Sequence, residues 1–311
     1  AATLGIASVA LATLLFAYGD NFPVLMGARV LVGTGSVLAY SGVLTAAAAV
    51  GGHAGRGGAI GTVYSGSAAG SAVGPLFGSL ASHLGRAPVF TAVAVVQALI
   101  ALLLSHLPAT SAGPLPTPRA VVRHLQSPLV RIGLWITSVP GFALGVLTVS
   151  GTSRLHELHA GSFLVALAFS GIAILNVALA PRLGRASDRL GRRQPLTLAL
   201  TVSTIAIALI AATAFQMSTV VLIAIAGAFM LAVAGPGLAL IGDGISQANG
   251  DPAGATFLMN VFWGPAAALG SIAAGFVHGA YGVVMSLLML MAVAAASIAA
   301  VRRYVSSDRD G

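Results

Sequence analysis

Ten apolar stretches of membrane-crossing length leave this chain few ways to fold. They fall at about 2–18, 24–49, 59–82, 88–107, 129–150, 162–183, 195–215, 218–242, 254–278 and 281–301. A hydrocarbon core about 30 Å thick takes roughly 17–25 mostly apolar residues of helix to cross. Only 7% of the 311 residues are charged, against about 25% in a soluble domain. Too little polar surface exists to wrap a water-soluble core. The expected fold class is an all-α polytopic membrane protein.

The joints between stretches are short, which favours antiparallel neighbours. The longest polar interval, Ser105 to Gln126, holds Pro108, Pro114, Pro116 and Pro118 with Arg119 and Arg123. Proline of that density stiffens and extends a chain, so the interval is a linker between two bundles. The expected organisation is an N-terminal bundle over 1–107, a linker over 108–126, a C-terminal six-helix bundle over 127–304 and a tail over 305–311. Gly51-Gly52-His53-Ala54-Gly55-Arg56-Gly57-Gly58 is expected to be a glycine-rich turn. Residues 2–18 lack a basic leader and a cleavage site, so they are expected to be a membrane helix, not a signal peptide.

The net charge of +8 comes from fifteen arginines with no lysine. With residue 1 on the cytoplasmic side, Arg56, Arg119, Arg123, Arg131, Arg182, Arg185, Arg189, Arg192, Arg193, Arg302, Arg303 and Arg309 lie inside. Only Arg86 and Arg154 lie outside, and Arg29 falls within a helix. Basic residues favour the cytoplasmic side of a membrane, so both ends are expected there, in the cell membrane. This placement argues against nucleic acid as the partner of the basic charge. Without lysine there is no G-x-x-x-x-G-K-[ST] phosphate loop, so ATP hydrolysis by that route is excluded. Cysteine is absent. His156-Glu157-Leu158-His159 is one residue short of the H-E-x-x-H spacing, and no metal site is expected. No nucleophile, base and acid fall together on one scaffold, so no enzyme is expected either.

A few polar residues stand out against this background. Arg29 lies inside an apolar helix, where a guanidinium is costly and usually faces a cavity or a partner. Helical spacing puts Gly33, Ser36 and Tyr40 on its face. The alternative is that Arg29 reaches out to the headgroups. Gly66, Gly70, Gly74 and Gly78 recur every fourth residue, a face that lets another helix come close. Pro75 removes a backbone hydrogen bond there and favours a bend. Residues 184–193 form a charged decapeptide, with Gly184, Asp188, Arg189, Gly191, Arg192 and Arg193 at a membrane surface. Asn260 and Trp263 share one face of the ninth stretch and are cavity candidates, as is Tyr64 in the third. Asn176 is expected to bond across helices. Asp243 is the only acid close to a span, and it is the weakest candidate for proton coupling.

Three of these patterns resemble those of the major facilitator superfamily. The run G-x-x-x-D-R-x-G-R-R at 184–193 is similar to its cytoplasmic loop signature, with Ala186 where a leucine is usual. Arg29-x-x-x-Gly33-x-Gly35 resembles its fourth-helix motif, and Gly70-x-x-x-Gly74-Pro75-x-x-Gly78 its fifth-helix antiporter motif, with Ser79 in place of a second glycine. The resemblance implies two helical bundles around a central cavity, and drug:proton antiporters of actinobacterial type are the nearest likeness. Each motif sits two helices early, so ten of the usual twelve helices are expected, with the first two absent. With those helices absent, the chain as it stands is expected not to transport. The function implied is proton-coupled efflux of small drug-like or lipophilic compounds by alternating access. Arg29 would assist coupling and the 184–193 loop would close a cytoplasmic gate. Uptake of a sugar or organic anion by symport, and a non-transporting remnant or scaffold, are the alternatives. The implied partners are a small-molecule substrate and the lipid bilayer, with the chain a monomer, no cofactor, and a proton gradient as energy source.

Overall fold

The computed structural model describes residues 2–106, 118–247 and 254–305, apart from the side chains at 44–45, 48–62, 64–65, 68, 118–121, 188 and 254. Among the described residues all regular structure is helical. The chain divides into two compact units, Ala1–Pro114 and Leu115–Gly311.

The first unit holds α1 (Ala2–Tyr18), α2 (Phe22–Leu84) and α3 (Arg86–Ser105). Asn21 caps α2, its side-chain oxygen accepting from the Val24 amide at 3.0 Å, and Pro23 occupies the first turn. Both are strong helix starters. α1 lies close against α2 because Gly5 faces Gly35 and Ala39, where a Cβ would meet the neighbouring backbone. Phe16 of α1 and Phe90 of α3 meet edge to face at 5.2 Å. Gly85, with φ 94°, turns the chain from α2 into α3, a conformation that favours glycine.

The continuity of α2 departs from expectation. The second and third apolar stretches form one helix of 63 residues, and the glycine-rich segment 51–58 is helical, not a turn. Glycine weakens a helix by about 1 kcal/mol relative to alanine but does not forbid it. No proline falls between Pro23 and Pro75 to force a break. At 1.5 Å per residue the helix runs about 95 Å, far beyond the thickness of one hydrocarbon core.

The second unit holds α4 (Pro118–Leu125), α5 (Pro128–Val146), a π-helical turn (Leu147–Gly151), α6 (Thr152–Glu157), α7 (Ser162–Leu190), α8 (Arg193–Ala212), α9 (Gln216–Ala232), α10 (Ala234–Gln247), α11 (Gly254–Tyr281) and α12 (Val283–Tyr304). Its core joins Ile136, Leu147, Leu200, Ile207, Ile223, Leu287 and Leu290, all essentially without solvent access. α5 and α11 pack tightly, because Gly141 and Gly145 of α5 and Gly270 of α11 leave no room for a side chain between the backbones. Polar groups in this unit bond across helices. Ser150 donates to Ser286 at 2.9 Å, Trp135 to Ser297 at 3.0 Å, and Ser203 to the Ala226 carbonyl at 2.7 Å. Asn176 donates to the Ala228 carbonyl at 3.1 Å, tying α7 to α9 as its isolation in an apolar helix implies.

Eight helices among the described residues are long and apolar enough to cross a membrane, and α1, at 17 residues, is a shorter apolar helix. Large apolar side chains face outward on them, among them Leu103, Leu198 and Phe276. Lipid tolerates that surface, whereas water would favour burying it.

Candidate functional site

Each unit carries its own concentration of charge within apolar surroundings. In the first unit, Arg29 borders a groove of about 270 Å3 lined by Ala12, Thr13 and Phe16 of α1, Ala28, Arg29 and Val32 of α2, and Phe90 of α3. Its guanidinium lies over the Phe16 ring, 5.8 Å from the centroid, a cation–π distance. Thr13 reaches from the groove to Gln97 of α3 at 3.0 Å. Among the described residues the carboxylates are those of Asp20, Glu157 and Asp243, and each is paired with another arginine. Arg29 therefore has an aromatic neighbour and no described acidic one.

Gly33 and Ser36 are exposed along the Arg29 face, and a Cβ at Gly33 would meet nothing. Tyr40 is half-buried on the same face. The contact with α1 uses a different side of α2, that of Gly35 and Ala39. The predicted stripe thus exists, and Phe16 of α1 reaches over its Arg29 end.

The glycine motif lies further along α2. Gly70, Gly74 and Gly78 are exposed, and a Cβ on any of them would meet open space. Pro75 sits inside the helix. The close helix approach expected from this spacing is not made among the described residues. Four-residue glycine spacing permits close contact but supplies no partner for it. In this chain the close contacts form instead at Gly5, Gly145 and Gly270. The Tyr64 side chain lies outside the described residues.

In the second unit the charged decapeptide spans the end of α7 and the start of α8. Gly191, with φ 75°, makes the turn between them, which is where this spacing needs a glycine. Arg192 bonds back to α10. It forms an ion pair with Asp243 at 2.6 Å and also donates to the Pro236 carbonyl at 3.4 Å. Asp243 is about half exposed and Arg192 a quarter. The least favoured acid of the sequence is thus the partner of the loop. The pair lies wholly inside one unit and links its α7–α8 turn to its α10 helix. Gly184 and Arg193 are partly buried and Arg189 is exposed, while the Asp188 side chain lies outside the described residues.

Asn260 and Trp263 are partly exposed on α11, and the Trp263 carbonyl faces Gly141 of α5. The segment 156–159 carries no metal-type cluster among the described residues. Glu157 pairs with Arg154 at 3.0 Å, and Arg154 also donates to the Thr213 carbonyl at 2.9 Å. Sequence reading missed Gln97, Phe16 and Phe90 around Arg29. Its one available signal was Gln97, a lone amide within an apolar helix.

Apolar helices with outward-facing leucines, a cation set in one apolar groove and an ion pair at a helix turn define a multi-pass membrane protein. The family model of the major facilitator superfamily matches residues 1–271, and the chain belongs to that superfamily. It is therefore a transporter and not an enzyme. Its fold is similar to the crystal structure of a bacterial homolog of the human lysosomal transporter Spinster, in an inward-facing and unoccupied conformation. That match has a TM-score of 0.63 at 16% identity, covering 98% of this chain and 84% of the other. No curated protein sequence matches the chain. The superfamily comprises secondary transporters that work by alternating access.

Proposed function

We propose that this transporter exports small lipophilic compounds from the cytoplasm in exchange for protons. The observation that carries this reading is Arg29, a cation placed in an apolar, phenylalanine-lined groove with no described carboxylate beside it. A fixed cation there repels a second cation and disfavours protonation of any base that approaches. The groove's apolar walls match a lipophilic solute. The Gly70–Gly78 motif supports the outward direction by its likeness to the antiporter motif, and its open face leaves α2 free to bend at Pro75. The Arg192–Asp243 pair acts as a cytoplasmic latch, holding the α7–α8 turn on α10 until a proton or a conformational change releases it. Both ends lie in the cytoplasm, the membrane is the cell membrane, and the protein works as a monomer without a cofactor.

The test uses inverted vesicles carrying the full-length protein and a pre-formed proton gradient. Adding a neutral lipophilic compound should dissipate the gradient, and Arg29→Ala should abolish that response while helicity stays unchanged. A gradient that does not respond, together with uptake of solute into right-side-out vesicles, overturns the export reading. The same arginine favours a second reading, symport of an organic anion, which predicts accumulation of that anion with inward proton flow. A folded protein that moves solute in neither vesicle orientation would point to a non-transporting remnant.

A further inference from the structure

A basic groove adjoins the charged turn, where the first turn of α8 meets the last turn of α12. A groove of about 440 Å3 is lined there by Arg193, Gln194, Thr197, Leu198 and Thr201 of α8 and Arg302 of α12. Among the described side chains neither arginine is paired with a carboxylate, since Asp20, Glu157 and Asp243 are each engaged elsewhere. The Thr197 hydroxyl is buried and makes no hydrogen bond. By contrast, Thr204 on the same helix turns back to the Leu200 carbonyl at 2.7 Å. The N-terminus of α8 has no side-chain cap. The positive end of the helix dipole lies at this end of α8, which favours an anion.

The groove continues into an apolar track. Leu198, Ile205 and Leu209 are 59%, 56% and 48% exposed, and their spacing places them on one face of α8. The 20 residues of α8 span about 30 Å, so the arginines sit at the level of headgroups and the leucines at the level of acyl chains.

We propose that this groove binds an anionic glycerophospholipid. The phosphate is held between Arg193 and Arg302, with the Thr197 hydroxyl as a further donor. One acyl chain lies along Leu198, Ile205 and Leu209. Charge complementarity selects an anion, and the apolar track selects a lipid over a free phosphate.

Native mass spectrometry of the purified protein in a neutral maltoside detergent tests this, with phosphatidylglycerol and phosphatidylcholine of identical chains as the two probes. Two arginines at a membrane surface give roughly a 30-fold preference for the anionic lipid. One tightly retained phosphatidylglycerol is expected, and Arg193→Gln with Arg302→Gln should remove the preference. Arg123→Gln, on exposed α4 surface, should leave it intact. If the double variant does not fold, Thr197→Val removes only the hydroxyl and should weaken retention about tenfold. Equal retention of the two lipids overturns the proposal, as does full retention by whichever variant folds. Displacement of the lipid by glycerol phosphate at comparable concentration would also overturn it, since the acyl track would then contribute nothing.

Discussion

Breaking the Arg192–Asp243 pair by Asp243→Asn offers the most direct measure of how firmly the charged turn is held. Two unit charges 4 Å apart attract by about 1 kcal/mol in water and about 4 kcal/mol at an effective dielectric of 20. Asp243 is 48% exposed and Arg192 25% exposed, so screening and side-chain entropy take most of that. Exposed pairs retain about 0.2–1 kcal/mol. The contact at 2.6 Å and the second bond to the Pro236 carbonyl place this pair at the upper end, near 1 kcal/mol. A double-mutant cycle isolates the pairwise part, using Asp243→Asn, Arg192→Gln and the two combined. Thermal unfolding in neutral detergent should show Asp243→Asn losing about 2–4 °C. The combined variant should lose little more than either single one. Raising salt from about 0.05 to 0.5 M should shrink the coupling, since part of the pair is exposed. As a latch, 1 kcal/mol corresponds to about a fivefold shift between the latched and released states. Strictly additive single effects, with coupling below about 0.2 kcal/mol, would show that the contact holds nothing and would refute the latch.

The two glycine faces should respond in opposite ways. Gly145→Leu drives a side chain into the α11 backbone and should cost about 3 kcal/mol or more, visible as loss of folded protein on size-exclusion chromatography. Gly70→Ala meets open space and should raise thermal stability by about 0.5–1 kcal/mol through helix propensity; a loss would mean that a helix covers that face. Ser286→Ala strands the buried Ser150 hydroxyl and should cost about 1–3 kcal/mol, whereas Ser286→Thr should recover much of it in the same melting assay. Asn176→Ala removes the bond to the Ala228 carbonyl and should cost about 1 kcal/mol, read as a lower melting midpoint.

The apolar runs made most of the second unit legible. Each expected span from 129 onward corresponds to a helix or a pair of helices in the structure, because burying twenty apolar residues in lipid outweighs local propensity. The break at 51–58 did not follow, because glycine only lowers helix stability and nothing there forbids the backbone from continuing. The glycine ladder at 66–78 was the most regular pattern in the chain, yet the close packing occurs at Gly145 and Gly270. Whether a small residue packs depends on the shape of the facing helix, and spacing along one helix does not encode that shape. Arg192 illustrates the same limit for charge. Five arginines crowd residues 182–193, and only the placement of α10 selects which of them meets Asp243. The Ser150–Ser286 bond was similarly out of reach, since it depends on the π-helical turn at Leu147–Gly151 to set the direction of a serine.

The distribution of acid residues links the two halves of the proposed mechanism. Asp20 lies at the end of α1, where it pairs with Arg86 at 2.6 Å, and Glu157 lies at the end of α6 beside Arg154. The first pair joins the end of α1 to the start of α3, whereas the second lies within α6, where Glu157 is the last residue of the candidate span Pro128–Glu157. Asp243 lies inside a long apolar helical segment, Gln216–Gln247, short of its end. In the proposed mechanism, separating Asp243 from Arg192 frees the α7–α8 turn from α10. Arg29 cannot take that part, because no described carboxylate is paired with it. Its proposed part is a fixed charge beside its groove, whereas the Arg192–Asp243 contact can open and close.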